Sequence, residues 1–247
     1  MINYFNGKYL TEDLITISPL DRGFTLGDGV FDTLLVVDGE IKFANEHFTR
    51  LKRDAGIIGI EINLDFNAIA KNLLDKNDLI MDRYIIRTQI TRGIGPRGLR
   101  PPAEPHPTII MRVAQAPEQS THPVTAVIAE RVRRNEFSPL SKIKSLNYGD
   151  NILALLEARN KGADEAILLN TKDFIVCASA SNIFIREKDK WVTPPMSDGV
   201  LAGIMRSQLI RELKAREESI TPERLARADE IIQCNSVIGS RKLVMQP

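Results

Sequence analysis

The sequence predicts an α+β chain, and three observations carry that reading. Strand and helix signals alternate through the first half. A second half, rich in hairpin signals, follows. Between them lies a polar, Pro-flanked stretch, Ala116 to Pro123 (APEQSTHP). The 247 residues fit one large or two modest domains. If 116–123 is a linker, the domains are 1–115 and 124–247.

Each element has a local cause. Met1 to Leu10 reads as a short hairpin turning at Asn6-Gly7. Phe31 to Val37 (FDTLLVV) is apolar and branched, and Asp38-Gly39 turns it into Glu40 to Phe43. Asn45 to Gly56 has helical spacing, with Phe48, Leu51 and Ala55 on one side. Asn63 precedes a second amphipathic run, Phe66 to Leu74. Tyr84 to Thr91 and Thr108 to Val113 are strand-like, and Gly93 to Pro107 between them is too rich in Gly and Pro for regular structure. In the second half, Val124 to Ala129 reads as a strand, and the later part of Lys144 to Lys161 as a helix. Glu165 to Asn170 and Ile183 to Arg186 are strands. Asp198-Gly199 turns into a helix from about Ile204 to Arg216. Thr221-Pro222 starts another, with Thr as N-cap and Pro at the first helical position. Ile231 to Ser236 reads as the final strand.

Composition narrows the functional classes. With 43% hydrophobic and 26% charged residues, disorder is excluded as the main state. A formal charge of +1 gives no electrostatic argument for nucleic acid or an anionic membrane. Two cysteines make no disulfide framework, and no apolar run approaches the roughly 20 residues that span a bilayer. A cytoplasmic protein without nucleic-acid or membrane partners is expected. There is no GxGxxG after a strand, no P-loop and no GxSxG elbow. The three histidines lack metal-ligand spacing, so no metal is expected.

A few residues remain. Lys144, in SKIKSLNYGDN, is apolar-flanked, and partial desolvation would make it a carbonyl nucleophile. The plainer reading is a solvated lysine beside Lys142. Gly203-Ile204-Met205 opens a helix whose free N–H groups suit a phosphate, as every helix start does. Asn235 and Ser236 end a strand and either donate to an anion or shape a turn. Arg50 shares a helix with Lys52 and Arg53, which reads as a solvated charged face. Arg97 in the Gly-Pro loop suits a substrate carboxylate, although Arg92, Arg97 and Arg100 equally serve as loop solubilisers.

Taken in order, several strings resemble the class IV aminotransferase family, the fold-type IV pyridoxal 5'-phosphate (PLP) enzymes. They are SPLDRGFTLGDGVFDT near the start, HFTRL at His47 to Leu51, KSLNYGDNILALLEA from Lys144, ASASNIF from Ala178, GIMR at Gly203 and ADEIIQCNSVIG from Ala228. The resemblance implies two α/β domains, the second a pseudo-barrel, with PLP in the cleft between them, and a homodimer acting on a small amino substrate. It also implies roles. Lys144 would hold PLP through its amine and shuttle a proton. Arg50 would bind the phosphate, together with Ile204 and Met205 at a helix N-terminus and Asn235 and Ser236 at a strand end. Tyr148 would face the cofactor's phenolic oxygen. Two departures stand out. Cys177 occupies the place where the family has a Glu opposite the pyridine nitrogen, so either it is simply a small buried residue or a neighbour such as Glu165 substitutes. The connection Ala215 to Ile220 is also shorter than the family's strand-bearing segment.

The family contains branched-chain aminotransferases, D-amino-acid aminotransferases and 4-amino-4-deoxychorismate lyases. VFDT at Val30 to Thr33 and RGIGPRGL at Arg92 to Leu99 resemble the lyases. Phe31 and Leu99 stand where D-amino-acid enzymes have Tyr and His, while KSLNY with Tyr148 leans toward transaminases. The leading expectation is the lyase, giving 4-aminobenzoate and pyruvate, with Phe31, Thr33 and Arg97 at the substrate. The alternatives are an aminotransferase using 2-oxoglutarate, or a catalytically impaired PLP-binding protein.

Overall fold

A computed structural model describes residues 1–120 and 122–246, in two compact units: Met1–Pro117 with Lys144–Asn147, and Glu118–Ile143 with Tyr148–Pro247. Thr121, inside the expected linker, lies outside the described residues.

The first unit is an antiparallel sheet covered by helices. Its strands are β1 (Ile2–Phe5), β2 (Lys8–Thr11), β3 (Gly29–Val37), β4 (Glu40–Ile41), β5 (Arg83–Thr91) and β6 (Thr108–Gln115), in the order β2-β1-β6-β5-β3-β4. Both hairpin turns are the expected ones. Asn6-Gly7 and Asp38-Gly39 all have positive φ, which two-residue hairpin loops require. The helices are α1 (Arg22–Leu26), α2 (Ala44–Ile57) and α3 (Phe66–Asp75). The N-cap of α3 is Asp65, whose side chain accepts from Ala68 N–H. Phe48, Leu51 and Ala55 of α2 are buried as expected, but so are His47, Arg50 and Asp54. These also recur at i, i+3 and i+7, so α2 buries a polar stripe beside its apolar one. The reading of Arg50 as part of a solvated face is therefore corrected. Residues 144–147 join this sheet beside the start of β3: Phe31 N–H donates to Lys144 O and Leu146 N–H to Gly29 O, both at 2.9 Å.

The second unit contains β7 (Val124–Arg134), α4 (Pro139–Lys142), α5 (Gly149–Asn160), β8 (Glu165–Asn170), β9 (Ile175–Ala178), β10 (Asn182–Glu187), β11 (Lys190–Thr193), α6 (Ile204–Leu213), β12 (Arg216–Glu217), α7 (Pro222–Ala226), β13 (Glu230–Asn235) and β14 (Gly239–Met245). The strands follow the order β12-β11-β10-β13-β14-β7-β8-β9. An extra pairing of Cys177 in β9 with Asn182 in β10 closes β10, β13, β14, β7, β8 and β9 into a ring. That ring is the expected pseudo-barrel. Period-2 alternation sorts its side chains. Ile183, Ile185, Ile231 and Leu243 belong to one apolar cluster, whereas Phe184 and Cys234 group with Leu209 of α6. Alanines 154 and 158 of α5 belong to a third cluster, with Leu168, Val176 and Cys177.

Two expectations are corrected here. The helix from Ile204 ends at Leu213, not Arg216: Lys214 turns left-handed and Arg216–Glu217 instead pairs in parallel with β11. Ile231 to Ser236 is not the last strand, because β14 follows and pairs with both β13 and β7. Among the described residues, no helix is long and apolar enough to cross a membrane.

Candidate active site

The two units each hold part of the predicted residue set. In the first, Lys144 is half-buried and held from two sides. Asp54 Oδ2 accepts its backbone N–H at 2.9 Å, and its carbonyl takes the Phe31 N–H. The Lys144 Nζ lies 4.4 Å from the centre of the Phe31 ring. Arg87 packs on the same ring, its Cζ at 3.9 Å. Arg87 stands directly across from Thr33 in the β3–β5 register, so Phe31, Thr33 and Arg87 share one sheet face. The lysine, an aromatic ring and a fixed guanidinium are thus neighbours within one unit.

The opposite face of β3 carries Asp32, fully buried. Its Oδ1 lies 2.9 Å from His47 Nδ1 and 2.6 Å from Arg50 Nη2, and its Oδ2 accepts from Arg50 Nε at 2.9 Å. Burial pushes the Asp32 carboxyl up, but the Arg50 charge and the bonds from His47 and Arg50 outweigh it. The result is a pKa lowered from 3.8 to about 2. Buried charge of this kind survives only when paired. Arg50 therefore stands as a fixed cation on a rigid frame.

In the second unit, α6 begins at Gly203 with no side-chain cap, leaving the amides of Ile204 and Met205 at an unblocked helix N-terminus. A Cβ on Gly203 would overlap Asn182 Oδ1, so a larger residue there has to displace the Asn182 carboxamide. Asn182 is buried, donates to Leu201 O at 3.0 Å, and pairs with both Cys177 and Cys234 where the ring closes. Asn235 uses its side chain locally. Its Oδ1 accepts from Val237 and Ile238 N–H, and its Nδ2 donates to Ser181 Oγ at 3.1 Å, which is the turn-forming alternative at work. Ser236 follows it half-buried, and Tyr148 sits just before the first turn of α5.

Cys177 is buried, and burial pushes its thiol up, so it stays neutral. Glu165 is buried in β8, the strand that pairs with β9. Its Oε1 accepts the N–H groups of Ala166 and Ser179, at 2.9 and 3.1 Å, and so braces the segment after β9. Lys144 supplies an amine chemically suited to the PLP aldehyde, and the start of α6 supplies amides suited to a phosphate. At the place where the resemblance sets a proton-holding acid against the ring nitrogen, the chain offers a neutral thiol.

Arg97 is exposed in the irregular segment between β5 and β6. Sequence reasoning missed Asp32, Asp54 and Arg87. A lone acid inside FDTLLVV and an arginine inside an alternating strand were the available signals.

The amino-transferase class IV profile matches residues 29–243. The chain belongs to the class IV aminotransferase family. Its members are PLP-dependent enzymes. Within the family the chain is 34% identical to a Methanocaldococcus jannaschii protein provisionally named a branched-chain-amino-acid aminotransferase, over 92% of this chain and 82% of the other. It is 30% identical to a D-alanine aminotransferase of Staphylococcus epidermidis, over 93% and 83%. It is 29% identical to the aminodeoxychorismate lyase of Bacillus subtilis, over 95% and 83%. The crystal structure of a branched-chain aminotransferase from Thermoproteus uzoniensis with norvaline matches with a TM-score of 0.92 and 25% identity, covering 99% of this chain and 86% of that one. The fold is that of the fold-type IV enzymes.

Proposed function

We propose that this chain uses PLP to act on a carboxylate-bearing amino substrate, and that its reaction is the lyase reaction, converting 4-amino-4-deoxychorismate to 4-aminobenzoate and pyruvate. The observation that carries this reading is the Phe31–Arg87–Lys144 group, with Thr33 opposite Arg87. A guanidinium fixed beside an aromatic ring suits a cyclic substrate that carries a ring carboxylate. The amine of Lys144 then lies within reach of proton transfers at the same surface. Bound PLP supplies the electron sink for the carbanion.

In this account Lys144 removes the proton from the carbon bearing the substrate nitrogen and returns a proton as pyruvate departs. Asp54 fixes the Lys144 backbone. Arg50 would bind the cofactor phosphate, as would the amides of Ile204 and Met205 with Asn235 and Ser236, and Tyr148 would orient the ring oxygen. Cys177 leaves the ring nitrogen without a carboxylate partner. Arg97 meets the substrate's second carboxylate. A cytoplasmic homodimer fits two unpaired, buried cysteines and the family resemblance.

The second reading is an aminotransferase, favoured by the 34% and 30% identical relatives. There Arg87 would take the distal carboxylate of 2-oxoglutarate. A paired assay separates the two: aminodeoxychorismate alone, and branched-chain or D-amino acids with 2-oxoglutarate. Release of 4-aminobenzoate without transamination supports the lyase. Transamination without 4-aminobenzoate overturns it in favour of the second reading.

A further inference from the structure

The segment from Gly93 to Pro107 has no regular structure of its own, yet its backbone is tied down by one buried side chain. The Arg22 guanidinium donates to three successive carbonyls: Gly98 and Leu99, both at 3.0 Å, and Arg100 at 3.4 Å. Its Nε donates to Asp28 Oδ2 at 2.8 Å. That uses most of the donors an arginine has. Turning three carbonyls inward sends the side chains outward: Arg97 and Arg100 are exposed, and Leu99 is 82% exposed. Gly98 has φ +102, a conformation that L side chains rarely adopt, so the inward turn depends on glycine there.

Asp28 continues the connection. It accepts from Arg92 Nε at 2.8 Å and Nη2 at 3.0 Å, while Arg92 also donates to the carbonyls of Ile58 and Gly59 just beyond α2. Its own backbone is bonded to Arg22 O and Arg92 N–H. The next residue, Gly29, accepts from Leu146 N–H in the segment that carries Lys144. One acid between two buried arginines thus links the 93–107 loop to the end of α2 and to the frame of Lys144.

We propose that Arg22 and Asp28 are positioning residues that hold this loop preset, so that Arg97 meets the substrate carboxylate without first ordering the loop. The inference rests on the reading of Arg97 as a substrate ligand. Fixing backbone residues costs conformational entropy, so a loop ordered in advance spares binding part of that cost. The loss is therefore expected in KM and not in the chemical step.

The test uses the PLP-loaded enzyme and the variants Arg22→Lys and Asp28→Asn, alone and combined with Arg97→Ala. The expected result is KM raised about tenfold for the carboxylate substrate, with kcat within about twofold. In the Arg97→Ala background neither variant should add to the loss. Unchanged KM, or losses that add fully to that of Arg97→Ala, would overturn the proposal. Trypsin supplies a readout independent of turnover at the Arg97–Gly98 bond. Wild-type protein should resist cleavage there and both variants should be cut faster. Rapid cleavage of the native wild type overturns the proposal even if the variants do not fold. Resistance together with no turnover of any amino substrate places the failure in the functional reading instead.

Discussion

Asp32 and Arg50 form a two-point ion pair inside the first unit, Nε to Oδ2 at 2.9 Å and Nη2 to Oδ1 at 2.6 Å, with both side chains buried. Removing Asp32 takes away the buried carboxylate that answers the Arg50 charge. Asp32→Ala should therefore cost about 3–5 kcal/mol in urea unfolding. The pair also sets an acid limit. The Asp32 carboxyl is lowered from 3.8 to about 2 in the folded state. Its contribution is fully present above the unfolded value and is lost as pH falls through the folded one. About 2 kcal/mol should vanish as pH drops from 3.8 toward 2. Stability measured against pH should show this slope in wild type and lack it in Asp32→Asn.

Arg87 is the proposed anchor for a substrate carboxylate. Arg87→Leu should raise KM for aminodeoxychorismate, or for 2-oxoglutarate, roughly tenfold to a hundredfold, the size of a charge-assisted pair. Arg87→Lys should recover only part of this, because an ammonium lacks the planar fork that stacks on Phe31. Steady-state kinetics on the three proteins check the order.

Gly203→Ala should weaken PLP retention. The added methyl overlaps the Asn182 carboxamide, which must move away from the start of α6. Overpacking of this kind costs about 1–3 kcal/mol. Dialysis against phosphate buffer should strip cofactor from the variant well before the wild type, and the melting temperature should fall in parallel.

The two thiols should be silent in the native protein. Burial pushes Cys177 up, and Cys234 up to about 12, so neither forms the reactive thiolate near neutral pH. A colorimetric thiol reagent should detect neither cysteine in the native protein and both after denaturation. Rapid native labelling of Cys177 would remove the case for a neutral thiol there.

What could be read from the sequence was what local chemistry specifies. Asn6-Gly7, Asp38-Gly39 and Thr221-Pro222 each carry their conformational reason within two residues, and the structure places turns and a helix cap there. The early end of α6 was not legible, since no Gly or Pro follows Leu213. The turn at Lys214 serves the pairing of Arg216–Glu217 with β11, a tertiary demand. The last strand was missed because GSRKLVM is stabilised by partners on both sides rather than by its own pattern. At the site, Lys144 and the start of α6 came from their resemblance to the family. The resemblance also named Arg50, but the burial of His47, Arg50 and Asp54 was not legible, because periodicity alone cannot reveal that a polar helix face packs against Asp32 on a neighbouring strand.

The central claim is that Lys144 is the amine that joins the cofactor. The most direct measurement is borohydride reduction of the PLP-loaded enzyme, followed by digestion and mass spectrometry of the peptides. The account predicts a phosphopyridoxyl group on Lys144 and none in Lys144→Ala. An adduct on a different lysine, or wild-type protein that takes up no PLP, would contradict it.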